Sequence, residues 1–398
     1  MRTIRILAAL VLCVFSASGV FAGLPQGRPE QVGMSAAQLA LADSLVLQAI
    51  RNQEIPGAVL LVMRHGRVVV HKAFGNCQLV PVPRPMSEDM IFDLASITKP
   101  VATATSVMIL VEQGKLRLED KVKLFVPSFT PYIDEHGASG EDACIWHLLT
   151  HTSGLPPYTN ADSVAKRYGS PCRTDSLVAY ISRLKKLNPP GKAFHYSCLG
   201  FITLAHIVHK VSGHPLDEFA RTHIFEPLGM RSTAFCPDST LLPRVVPTEV
   251  VQGAPLCGVV HDPLARLQGG VSGNAGLFSS AEDLAVFAQM MLSEGEYGGR
   301  RILSPFAVRL MTSVYPKVAE MGRGLGWDVR SVYASNAGDL FPGGYGHTGY
   351  TGTSIWIDPT TDTVVILLTN RVHPKDVGSV VRLRSLVANV VAGAIVSP

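Results

Sequence analysis

Ser96-Ile97-Thr98-Lys99 opens a long apolar stretch of the chain. A serine and a lysine three residues apart lie on the same face of a helix. There a neutral lysine amine can take the serine proton, which makes the alcohol a nucleophile without any histidine. The bare pattern occurs twice more, at Ser163/Lys166 and Ser182/Lys185, so context has to choose among the copies. Ser96 follows Ile91-Phe92-Asp93-Leu94-Ala95 and precedes an apolar run from Pro100 to Val111 that Gly114 closes. That order predicts a buried helix with proline in its first turn and glycine at its end. The other two copies sit among charged and loop-like residues, where the lysine is solvated and protonated. Only the Ser96 copy suits chemistry.

A serine hydrolase of this kind needs a second acid/base group and donors for an oxyanion. Two tyrosines compete for the first role. Tyr158-Thr159-Asn160 follows Pro156-Pro157 and reads as an exposed loop. Tyr196-Ser197-Cys198 stands just before the apolar helical run Phe201–Val211, which gives its phenol a fixed position. A free phenol titrates near pH ~10 and is a poor base at neutrality. Beside Lys99 in a dry cleft its anion is expected to be favoured, so that it can shuttle protons. Further along, Gly346-His347-Thr348-Gly349-Tyr350-Thr351-Gly352 leads into a β-rich segment. A small-residue strand edge lets a substrate backbone lie close. His347 and Thr348 are then candidates to hold a substrate carboxylate or carbonyl. The backbone N–H groups of Ser96 and Tyr350 are candidates for an oxyanion hole.

The elements that must position these groups follow from patterning. Ser35-Ala36-Ala37-Gln38 reads as a capping-box start of a helix running to about Asn52. Gly57–Arg64 and Val68–Gly75 form a hairpin around His65-Gly66, and Thr353–Ile357 and Thr363–Thr369 form another around 358–362. Ala281–Ser293 and Val377–Ile395 read as helices, the second amphipathic. Strands thus lie toward both ends and helices fill the middle. The predicted fold is α/β (α+β): one antiparallel sheet from both chain ends, flanked by helices, with a mainly helical domain inserted. Residues 23–105 and 280–398 would form the α/β part and about 106–279 the insert, with a ligand cleft between them.

The chain's 398 residues allow a sizeable core, and 47% hydrophobic with 17% charged residues is ordinary for a globular protein. Met1–Ala22 carries Arg2 and Arg5, an apolar run from Ile6 to Phe15, and Val20-Phe21-Ala22. It reads as a secretory signal peptide cleaved after Ala22, with an uncleaved anchor as the alternative. A lipoprotein is disfavoured because bulky Leu12 precedes Cys13. The mature protein is expected in the periplasm or secreted, without a stable membrane span. Of 35 basic residues Arg2 and Arg5 leave with the leader, so 33 face 31 acidic ones. Such a balance points away from nucleic acid and from a polybasic membrane patch. Cys77, Cys144, Cys172, Cys198, Cys236 and Cys257 remain, and at most one or two disulfides are expected in an oxidising compartment. No C-x-x-C occurs. His147 and His151 are four apart but lack the glutamate of H-E-x-x-H, so a structural role outweighs metal binding. His206 and His209 read as surface or packing residues. No G-x-S-x-G elbow suggests a Ser-His-Asp enzyme.

Ser96-x-x-Lys99, Tyr196 and His347-Thr348-Gly349 together resemble the three motifs of the serine β-lactamase and penicillin-binding-protein family. The likeness is strongest to its class C-like branch of β-lactamases, DD-peptidases and esterases. Leu148–Leu155, Phe225–Met230 with Thr233, Gly269–Ser279 followed by Asp283-Leu284, and Gly346–Asn370 carry it over most of the chain. The resemblance implies an α/β sandwich with a helical domain, an acyl-enzyme on Ser96, proton transfer shared by Lys99 and Tyr196, and no cofactor or metal. It places Thr348, Gly349, Tyr350 and Cys198 with His347 among the substrate contacts. Two departures bear on activity. His347 stands where β-lactamases carry lysine, and an unperturbed histidine is largely uncharged at neutral pH. Cys198 replaces an asparagine whose amide contacts substrate and lysine, and a thiol is a weak donor and acceptor. Both argue against efficient β-lactam hydrolysis. The expected substrate is a small molecule or peptide, foremost a peptidoglycan stem peptide ending in D-Ala-D-Ala. An esterase of small acyl esters and a non-catalytic penicillin-binding-like sensor are the alternatives.

Overall fold

The computed structural model describes residues 23–331 and 337–397. The leader expected over residues 1–22 lies outside them.

Helix α1 (Ala36–Arg51) begins where Ser35 Oγ accepts the Gln38 N–H at 3.2 Å. The first hairpin is β1 (Gly57–Arg64) with β2 (Arg67–Gln78), and a short β3 (Arg84–Pro85) pairs with the end of β2. From the other end of the chain come β4 (Tyr345–Thr348), β5 (Ser354–Asp358) and β6 (Thr363–Thr369). All six join one antiparallel sheet in the order β4-β5-β6-β1-β2-β3. The junction is β1 against β6, with Ala58 opposite Thr369 and Arg64 opposite Thr363.

β1 is buried along its whole length because both faces of the sheet are covered. Ala58, Leu60 and Val62 pack with α1 and the last helix, α5 (Val381–Gly393). Val59, Leu61 and Met63 point the other way, into the core shared with α4 (Ala281–Leu292) and the helical middle. The period-2 alternation of one strand therefore divides two cores. The final helix starts at Val381 rather than Val377, because Gly378 takes φ +77° and residues 371–380 form a strap instead. Among the described residues no helix is long and apolar enough to cross a membrane.

All six described cysteines are free, at the lower end of the expected at most one or two disulfides. Cys77, Cys144 and Cys172 are instead buried as small apolar side chains, and a core of this size needs no covalent staple.

The helix expected after Ser96 forms, but not as one regular α-helix. Ala95–Ile97 is a 3₁₀ turn, Lys99–Ala104 is a π-helical stretch, and α2 (Thr105–Glu112) follows, ended by Gly114 at φ +67°. Thr105 Oγ1 donates to Pro100 O at 2.9 Å within the widened turns. Such π segments concentrate at functional sites, where they re-aim side chains.

Candidate active site

The turn that carries Ser96 is strained and tied down from three sides. Ala95 has φ +46°, in the left-handed region that a residue with Cβ avoids. The buried Asp93 carboxylate holds it, since Oδ1 accepts the Ala95 N–H at 2.9 Å. Asp93 Oδ2 accepts the His261 N–H at 2.7 Å and so links the turn to the opposite wall. Burial raises the Asp93 carboxyl above its usual value against these two bonds. Behind the turn, Leu94 N donates to Leu277 O at 2.9 Å. From the sheet edge, Thr351 Oγ1 donates to Asp93 O at 2.7 Å and Thr353 Oγ1 to Leu94 O at 3.1 Å. Backbone strain of this kind persists only where the surroundings over-determine it.

Gly349 makes this close approach possible. A Cβ there would lie 2.1 Å from Thr353 Oγ1 and 2.4 Å from Leu94 O. Gly349→Ala should therefore push the sheet edge off the nucleophile turn. The expected cost is about 1–3 kcal/mol in thermal or urea unfolding, with a larger fall in kcat/KM than in stability.

Lys99 is fully buried. Its Nζ lies 2.8 Å from Ser96 Oγ, donates to Asn274 O at 2.9 Å, and sits 3.5 Å from Cys198 Sγ. The Tyr196 hydroxyl is in hydrogen-bond reach of both Ser96 and Lys99, with its ring centre 4.9 Å from Nζ. Burial pushes the Lys99 ammonium down, but Cys198, Tyr196 and Asp262 together push it up further, so the net direction is upward. Burial raises the Tyr196 phenol and the Cys198 thiol above their usual values. The phenol is thus raised rather than lowered, contrary to the sequence expectation, because desolvation exceeds the attraction of Lys99. The four groups form a proton-sharing cluster around the Ser96 alcohol.

Tyr196 is held in register from the 151–157 loop. Ser197 N donates to His151 Nδ1 at 2.9 Å, Cys198 N to Pro157 O at 2.9 Å, and His195 N to His151 O at 3.0 Å. Helix α3 (Cys198–Ser212) starts immediately afterwards, capped by Ser197. The His151 ring packs 4.4 Å from that of Tyr196 and 5.0 Å from that of Phe201. His151 has φ +60° and has left the short helix Ile145–Leu149 that bears His147, so the two do not share a face. His147 Nδ1 accepts the Cys144 N–H instead, and burial lowers the His147 ring to about 3. No cluster of metal ligands occurs among the described residues.

An open cavity of about 920 Å³ lies over Ser96. Tyr196, Cys198, Thr348, Gly349 and Tyr350 line it with Ser96, so the structure brings together most of the residues singled out from sequence. His347 is the exception. It belongs to β4, but its ring is buried behind the wall, centred 6.0 Å from the Tyr196 ring. Burial, Arg323 and Lys99 hold its ring well below the usual histidine value. The ring does not line the cavity, and its neutrality agrees with the weak hold on a carboxylate expected of a histidine there. Tyr158 is an exposed loop residue, as read, yet it also borders the cavity. Its hydroxyl donates to Asp262 Oδ2 and accepts the Leu264 N–H, both at 3.1 Å. The other two S-x-x-K copies lie on or at the end of helices, not in loops. Ser163 and Lys166 are exposed, and buried Ser182 has its Lys185 in solvent.

Asp93, His151, Asn274, His261 and Arg384 were not selected from sequence. His151 and Asn274 stand inside stretches that carried the family resemblance, which is a usable signal. The individual role weighed for His151 was metal binding, Asp93 was read only as part of the run before Ser96, and Arg384 has the look of a helix-surface charge.

A family model described as Beta-lactamase matches residues 42–389. The chain belongs to the beta-lactamase family. It is 31% identical over 399 aligned positions to a Salmonella schwarzengrund protein described as "Putative D-alanyl-D-alanine carboxypeptidase", covering 92% of this chain and 91% of the relative. Among solved structures it is similar to EstCE1, described as a hydrolase with promiscuous acyltransferase activity. The identity is 26% and the TM-score 0.72, over 90% of this chain and 99% of EstCE1. It is also similar to the octameric penicillin-binding protein homologue from Pyrococcus abyssi. There the identity is 25% and the TM-score 0.68, over 87% of this chain and 76% of that one. The protein is a serine hydrolase of the beta-lactamase fold, as the motifs implied.

Proposed function

We propose that the protein is a D-alanyl-D-alanine carboxypeptidase that acts on peptidoglycan stem peptides through an acyl-enzyme on Ser96. An export leader over residues 1–22, and hence a periplasmic or secreted site of action, is part of this reading. The observation that carries it is Lys99 Nζ 2.8 Å from Ser96 Oγ, with Tyr196 in reach of both, beneath an open cavity. Lys99 takes the proton as Oγ attacks the penultimate carbonyl. Tyr196 passes a proton to the departing D-alanine nitrogen. The N–H groups of Ser96 and Tyr350 receive the oxyanion, which is the step where preorganised donors contribute most. Water then cleaves the ester by the same relay in reverse. Weak β-lactam hydrolysis is compatible with this chemistry.

The 26% identity to EstCE1 keeps a carboxylesterase as the second reading. Mass spectrometry of muropeptides incubated with purified protein separates the two. Conversion of pentapeptides to tetrapeptides is expected. Intact pentapeptides alongside cleaved short-chain esters would establish the esterase instead, and no acylation by any donor would leave a binding protein.

A further inference from the structure

Tyr350 is exposed and nonetheless fixed. It is 61% exposed, and its hydroxyl donates to Asp376 Oδ2 at 2.7 Å. The Arg371 guanidinium lies 4.8 Å from the ring centre. It donates to Tyr350 O through Nε and Nη2 at 3.2 and 2.6 Å, and to Asp376 Oδ1 through Nη1 at 3.0 Å. Arg384 braces the turn that carries the tyrosine, since its Nη2 donates to Gly349 O and Thr353 O, both at 2.8 Å. The Tyr350 ring also stacks on that of His261, with centres 5.7 Å apart and planes 25° apart. His261 is itself held, because its N–H goes to Asp93 and its Nε2 lies 3.5 Å from Glu249 Oε1. A tyrosine in open solvent samples several rotamers, and ordering it costs free energy. Here a cation, a carboxylate and a second ring select one arrangement.

The contacts continue beyond the ring. Val250 N donates to Pro374 O at 2.9 Å. His373 donates from Nδ1 to Thr248 O and accepts the Leu79 N–H on Nε2, both at 2.8 Å, the pattern of a neutral imidazole. Tyr350, His261, the strap and residues 248–251 thus join the C-terminal part of the chain to its middle along one rim. Glu249, His261, Tyr350 and Asp376 line the cavity with Ser96, so that rim is a wall of the reacting pocket. Rings stacked with centres 5.7 Å apart are in direct contact and leave no passage between them. We infer that Tyr350, locked on His261 and Asp376, is a specificity-determining stop that closes one end of the cavity and limits the leaving group to about one residue. Tyr350 directly follows Gly349 and carries an oxyanion N–H in the proposed mechanism, so a chain running from the reacting carbonyl toward the rim meets its ring early. The direction follows from the substrate class. The acyl half of a stem peptide continues into the glycan and has to run out through the open mouth, so only the departing half can end against a wall. The substrates admitted are acyl donors with a short, terminal leaving group, and internal bonds of longer chains are refused. The stop presupposes Ser96 as the acyl carrier and deepens the carboxypeptidase reading.

The test uses neutral thioesters, so that length alone varies. The reference is the benzoylglycyl thioester of methyl thioglycolate. A second donor has thioglycolyl-glycine methyl ester as its leaving group, and a third keeps the short leaving group and adds one glycine to the acyl half. Thiol release gives the rate, and intact mass gives acylation of Ser96. For wild type, kcat/KM for the long leaving group is expected about tenfold or more below the reference, with the acyl-extended donor within about threefold of it. Tyr350→Ala should bring long and short leaving groups within about threefold of each other, whatever happens to the absolute rate. Tyr350→Phe, which keeps the ring, should retain part of the discrimination. Should Tyr350→Ala not fold, Tyr350→Leu carries the same comparison. An unchanged ratio in the folded variant overturns the stop, as does wild type that cleaves long and short leaving groups equally. Rejection of the acyl-extended donor in place of the long leaving group overturns it too. On peptides, wild type should release D-alanine from diacetyl-L-Lys-D-Ala-D-Ala and no D-Ala-Gly from the same peptide extended by glycine. Discrimination among thioesters without any peptide cleavage would refute the carboxypeptidase reading and leave the stop standing.

Discussion

Ser96→Ala is expected to abolish covalent labelling by a fluorescent penicillin and to lower hydrolysis of any accepted donor by about 10⁴-fold. The size follows from what is lost. Without Oγ no acyl intermediate forms, and only positioning and the oxyanion donors remain, which leaves a small residual rate. The one other nucleophile against Lys99 is Cys198, whose Sγ lies 3.5 Å from Nζ. Burial pushes its thiol up, so it is protonated and a poor substitute. Peptide mapping of the labelled wild type should find the adduct on Ser96 alone. An adduct on Cys198, or folded and hydrolytically active protein that stays unlabelled, would overturn the assignment. Fold should be unaffected, because Ser96 is half-buried at the cavity and Asp93, Thr351 and Thr353 hold its turn through other atoms.

The strands and helices that build the frame were legible because burial imposes period on sequence. β1 and β6 are continuous apolar runs, as strands covered on both faces must be, and Ser35 announces α1 by its own cap. The nucleophile and Tyr196 were legible for a similar reason, since each directly precedes a buried helical run. What local pattern does not encode is contact between distant segments. Asp93 acts by accepting from Ala95 and from His261, which is 168 residues away. Arg384 matters because the helix that carries it is folded back against Gly349. The burial of His347 depends on how β4 packs against Arg323 and Tyr196. The desolvation that raises the Tyr196 phenol arises in the same way, from walls supplied by separate parts of the chain. None of these has a signature within a window of ten residues.

The tyrosine assignment makes the second large prediction. Tyr196→Phe removes the hydroxyl shared with Ser96 and Lys99 and should slow acylation by about 10²–10⁴-fold, the range of a positioned proton carrier. Tyr158→Phe should leave acylation within a few-fold, because that hydroxyl is engaged by Asp262 and the Leu264 N–H rather than by the lysine. Its cost should appear instead as about 1 kcal/mol of stability from the orphaned partners. The pH profile gives a readout that packing alone does not move. Activity requires a neutral Lys99 and so rises with pH as that amine loses its proton. Burial pushes the amine down, whereas Cys198, the Tyr196 hydroxyl and Asp262 push it up. Deleting the phenol removes one upward influence, so the rising limb should shift to lower pH even as its plateau falls. The reverse outcome, a large loss in Tyr158→Phe with an unmoved limb in Tyr196→Phe, would assign the relay to the other loop.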